Sequence, residues 1–107
     1  MAETLPPMTI EQLKDALKNP NFSTYVFIGD EGHTGWKMAM GAQKILPALR
    51  VYRVDNSVAG LVKNEFSVNE SHIGIVFDWT TDVKQTLSEA EATDYFILTE
   101  ALINARS

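Results

Sequence analysis

Apolar residues recur along the chain in two rhythms. Leu13, Ala16 and Leu17 fall at helical spacing behind Thr9-Ile10-Glu11-Gln12, an N-cap residue with glutamine three positions on. Asn19-Pro20-Asn21 then removes a backbone donor and disfavours helical backbone before it, which predicts a first helix over roughly residues 9–19. Residues 24–28 are β-branched and aromatic and end in Gly29-Asp30-Glu31-Gly32, the pattern of a buried strand followed by a loop. From Thr34, the residues Trp36, Ala39, Met40, Ile45, Leu46 and Leu49 cluster on a helix surface, with Gly41 and Pro47 as points where it kinks or ends early.

A second strand is predicted over 51–54. Asn56-Ser57 then caps a short helix carrying Val58, Leu61, Val62 and Phe66, and the apolar run 73–77 forms a third strand. After a turn at 78–82, Val83, Gln85 and Leu87 alternate with Lys84 and Thr86, as in an edge strand with one wet face. Residues 88–93 lead into a last helix through Tyr95, Phe96, Leu98, Ala101 and Leu102. The resulting order, α-β-α-β-α-β-β-α, implies a mixed sheet of about four strands with helices on both faces. Its β-helix-β crossovers are expected to give parallel neighbours, and its short turn can only form a hairpin.

A length of 107 residues suits one hydrophobic core. Residues 1–8, with Pro6 and Pro7, read as a flexible leader, and 9–107 as a single domain. The formal net charge is −5, and the nine Lys and Arg residues are scattered, which argues against a nucleic-acid partner or an anionic membrane surface. The apolar runs at 25–28 and 73–77 are far shorter than the ~20 residues that cross a bilayer, and the first residues lack a basic-then-apolar signal. A cytoplasmic protein is therefore expected. With no cysteine in the chain, packing alone must stabilise it.

The segment Gly32-His33-Thr34-Gly35-Trp36-Lys37-Met38 resembles the Trp-Cys-Gly-Pro-Cys-Lys-Met motif of the thioredoxin-like family, after the same strand and opening the same helix. Val54-Asp55, Phe66-Ser67-Val68 and His72-Ile73-Gly74-Ile75-Val76-Phe77 continue the resemblance, which covers about residues 22–105. It implies a thioredoxin-like α/β fold. It also puts His33 and Trp36 at the two catalytic cysteine positions, His72 at the cis-proline position and Phe27 where the family keeps a buried acid. Thiol–disulfide exchange needs a thiolate and a resolving sulfur, and this chain supplies neither.

The resemblance with these departures implies a noncatalytic, redox-inactive module that binds another protein through the former active-site groove, as an adaptor, chaperone-like subunit or modulator of a host protein, with no cofactor. The partner-binding set is Asp30, Glu31, His33, Thr34, Gly35, Trp36, Asn69, Glu70, Ser71 and His72. Trp36 either fills a cavity or projects as an anchor. The resemblance brings His33 and His72 to one end of the sheet, where they either fill space or, in the alternative reading, bind a metal or small ligand together with Asp30 or Glu31. Backbone N–H groups near residues 33–36 suit an anion unless Thr34 or water caps the helix. The spacing of Gly29, Gly32 and Gly35 fits no phosphate loop, no nucleophile elbow is present, and the sequence offers no closed pocket that would make His33 a catalytic base.

Overall fold

The computed structural model describes residues 9–18, 23–46, 48–78 and 82–105. The expected leader, the Asn19-Pro20-Asn21 stop, Pro47 and residues 79–81 of the expected turn lie outside these residues. Helix α1 (Ile10–Ala16) begins with the expected capping box: the Thr9 hydroxyl accepts the Gln12 N–H, and the Gln12 side chain accepts the Thr9 N–H. Strand β1 (Ser23–Ile28) is buried along its whole length. Helix α2 (Thr34–Ile45) continues through Gly41 and stops at Leu46, beside Pro47. Leu49 belongs to strand β2 (Leu49–Val54) and not to the preceding helix, because Ala48 turns the chain with a φ of 64°.

Asp55, and not Asn56-Ser57, caps the next segment. Its carboxylate accepts the backbone N–H and the hydroxyl of Ser57, opening a single 3-10 turn (Asn56–Val58) that leads into helix α3 (Ala59–Glu65). Val62 is buried there, whereas Leu61, expected on the packed side, is exposed. Strands β3 (His72–Phe77) and β4 (Val83–Ser88) form the hairpin, and the chain ends in helices α4 (Glu89–Ala92) and α5 (Tyr95–Asn104).

The sheet is four-stranded and mixed, in the order β2-β1-β3-β4. β2 is the parallel neighbour of β1, from Ser23 opposite Leu49 to Ile28 opposite Val54. The second crossover departs from the sequence expectation: β3 lies on the other side of β1 and runs antiparallel to it. Length explains this. Seven helical residues rise about 10 Å, whereas a six-residue strand spans about 20 Å. α3 is thus too short to carry the chain back along the sheet, and β3 starts at the end where β2 finished. β4, antiparallel to β3, is an edge strand as expected, but of its predicted inward set only Leu87 is buried, while Val83 and Gln85 lie toward the turn end of the hairpin and are exposed.

Strand alternation sends side chains to two separate apolar layers. Tyr25, Phe27, Val51, Val76 and Leu87 meet Trp36, Ala39 and Ala42 of α2 and Leu98, Ala101 and Leu102 of α5. Val26, Ile28, Val54, Ile75 and Phe77 meet Leu13 and Leu17 on the α1 side and Val62 of α3, with the Phe66 ring edge-on to Phe77 at 5.1 Å. Helices therefore cover both faces, and the loops at the C-terminal ends of β1 and β2 meet the N-terminal end of β3.

Candidate functional site

Three chain segments converge at that end of the sheet. The first is the loop from Gly29 into α2. Its start is fixed by Arg53, whose Nη1 donates to the Gly29 carbonyl at 2.8 Å, and a turn closes it from the His33 N–H to the Asp30 carbonyl. His33 caps α2: its Nδ1 accepts the Gly35 N–H at 2.9 Å. Nδ1 therefore presents a lone pair and Nε2 carries the hydrogen, and that Nε2 lies 4.0 Å from the Glu89 carboxylate. The cap is the histidine itself rather than Thr34, so the N–H of Gly35, at the second position of the helix, is already engaged. The adjacent Asp30 and Glu31 oppose an anion there.

The second segment is the turn before β3. Asn69 Oδ1 accepts both the N–H and the hydroxyl of Ser71 at 2.8 Å, the Asn69 carbonyl accepts the His72 N–H, and Lys63 Nζ donates to the Glu70 carbonyl. Because Phe27 pairs with Gly74, continuing the register brings His72 level with Gly29. The two histidines thus stand at the same end of the sheet. Every peptide bond among the described residues is trans, including that of His72.

The third segment, α4, lies between the other two. The sequence contained its signal in Ser88-Glu89-Ala90-Glu91, a capping box that forms as such: the Ser88 hydroxyl accepts the Glu91 N–H, and the Glu91 carboxylate accepts the Ser88 N–H. Hydrogen bonds from Ser88 hold the Glu91 carboxyl below the usual carboxylate range, and neighbouring His72 adds to the shift. His72 Nδ1 is itself hydrogen-bonded to the Thr86 hydroxyl across the hairpin. Thr86, Glu89 and Glu91 are site residues the sequence reading missed.

α4 decides which expected residues reach the surface. A Cβ on Gly35 would stand 2.8 Å from the Phe27 ring and 3.3 Å from the Ala92 carbonyl, so glycine allows the first turn of α2 to press against both. Trp36 is 7% exposed and packs at 6.3 Å from Phe27. It fills the core and is not available as an anchor, and Gly35 is buried with it. Asp30, Glu31, Thr34, Asn69, Glu70 and Ser71 are exposed, and His33 and His72 are half-buried.

Among the described residues no three His, Cys, Asp or Glu side chains converge in a way that could hold a metal ion. No helix among them is long and apolar enough to cross a membrane. No family model, curated protein or solved structure matches the chain.

Proposed function

We propose that this is a redox-inactive thioredoxin-like domain of the cytoplasm that binds another protein through the end of the sheet that carries residues 30–34 and 69–72, without catalysing a reaction. The observation that carries the reading is the shared position of the two loops: His33 and His72, which the resemblance sets at a catalytic cysteine and the cis-proline, stand at one end of the mixed sheet. Loops at strand ends gather function because the sheet beneath them is rigid. Here both loops are closed by their own hydrogen bonds and present exposed polar side chains, a shape suited to recognition. Without a thiol they have no redox chemistry to offer.

The test is affinity capture from the source lysate with the parent and with a Glu31→Lys, Glu70→Lys variant, both exposed positions that leave the core intact. A specific partner retained by the parent and lost by the variant supports the reading. A partner retained equally by both, or contacts mapped only to the α1 and α3 face, removes it.

A further inference from the structure

The outer side of α5 carries a feature that the fold does not use. Leu98, Ala101 and Leu102 face the core, while on the other side Phe96 is 76% exposed and Ile103 51% exposed. Seven residues apart, these two share one helix face about 10 Å from each other, and exposed Glu100 stands between them, four residues from one and three from the other. Tyr95 is 41% exposed beside Phe96. Thr99, the other residue between them, spends its hydroxyl on the Tyr95 and Phe96 carbonyls. A phenylalanine so exposed adds nothing to the core and leaves its ring available to a partner.

The charge around this stripe selects the partner. Residues 88–105, which run through α4 and α5, hold Glu89, Glu91, Asp94 and Glu100. That is four of the chain's fourteen acids, with no Lys or Arg in the segment before Arg106. A second copy is a poor occupant. A two-fold axis that set Phe96 against the partner's Ile103 would fall between residues 99 and 100 and bring the two Glu100 carboxylates together, in a chain already carrying −5. An anionic lipid surface is repelled for the same reason.

We infer that the outer face of α5 docks a basic amphipathic segment of another protein, whose apolar side chains cover Phe96 and Ile103 and whose Lys or Arg residues pair with Glu100 and Asp94. This rests on the interaction-module reading and extends it from the sheet end onto α5. Apolar anchors would supply the affinity and the acidic surround the orientation and encounter rate.

The probe is a fluorescent synthetic amphipathic helix of Lys and Leu, compared with versions in which Glu replaces every Lys or Ser replaces every Leu. Anisotropy should show saturable binding of the first alone, weakened at least about fivefold by Phe96→Ser. Glu100→Lys and about 0.5 M salt should weaken it likewise. Amide shifts should centre on α5. No saturable binding, equal binding of either control peptide, or indifference to both substitutions overturns the inference. So does sedimentation that finds a dimer dissociated by Phe96→Ser. The two proposals fail separately: capture lost with Glu31→Lys, Glu70→Lys but insensitive to Phe96→Ser removes the α5 face alone. Capture lost with Phe96→Ser but indifferent to the sheet-end variant removes the sheet-end reading alone.

Discussion

The hydroxyl of Tyr25 lies over Gly74, on the neighbouring strand, so closely that a Cβ on Gly74 would collide with it. Tyr25 is fully buried, its oxygen has no hydrogen-bond partner among the described residues, and burial pushes its pKa up. An unpaired buried hydroxyl costs about 1–3 kcal/mol, so Tyr25→Phe should stabilise the fold by about 1 kcal/mol. Gly74→Ala should destabilise it by about 2 kcal/mol through overpacking, and by less in the Tyr25→Phe background. Urea midpoints of the four proteins close that cycle, and an additive result would show that the two positions do not meet. Trp36 makes the complementary case. Its position at the head of a helix was legible in the sequence, but its burial was not, because Phe27 beneath it and α4 beside it come from distant parts of the chain. Trp36→Ala should cost about 3–5 kcal/mol, as removal of a core aromatic does. Molecules of that variant still folded should keep the partner binding of the parent.

Two connections between elements turn through left-handed backbone at residues other than glycine. Ser67 (φ 56°) ends α3, where the Val68 N–H returns to the Lys63 carbonyl at 2.8 Å, and Ala48 (φ 64°) follows α2. Glycine adopts this conformation without the Cβ conflict, so Ser67→Gly and Ala48→Gly should each raise stability by about 0.5–1 kcal/mol in urea unfolding. Loss of stability in either would contradict the turn geometry. At the same scale, the Asp55 and Glu91 carboxyls both sit below their usual range, Asp55 chiefly through Ser57 and Glu91 chiefly through Ser88. The folded state therefore binds fewer protons than the unfolded one. The contribution is fully present above the ordinary carboxylate range and is lost as pH falls through the folded values. Glu91→Gln should flatten the acid limb of a Tm-against-pH profile and leave parent and variant converging at low pH; an unchanged acid limb would count against the capping box. Strong local signals, as in α1 and β1, were enough to place those elements from sequence. The direction of β3 was not, because it depends on how far α3 can carry the chain, and α4 passed for a lead-in because one turn has no apolar periodicity of its own.

On the scale of the whole molecule, stability should be graded across the sheet. β1 is hydrogen-bonded to β2 on one side and β3 on the other, and its side chains fill both apolar layers, Tyr25 and Phe27 in one and Val26 and Ile28 in the other. Its amides can be exposed only if both layers open together. β4 has one neighbour, its register slips where Phe77 pairs with Val83, and Val83, Lys84 and Gln85 are exposed. Opening there sacrifices little buried surface. Hydrogen exchange should therefore find the amides of residues 25–28 slowest, exchanging only with global unfolding and with the same denaturant dependence as the urea transition. Those of residues 83–85 should exchange by local fraying with almost no denaturant dependence. Protection at β4 equal to that at β1 would mean that the edge is covered in solution, by a partner strand or a second copy. Slow exchange at β1 whose denaturant dependence fell well short of the global value would mean that one layer can open while the other holds, and that the two layers fold as separate units rather than as one core divided by a sheet.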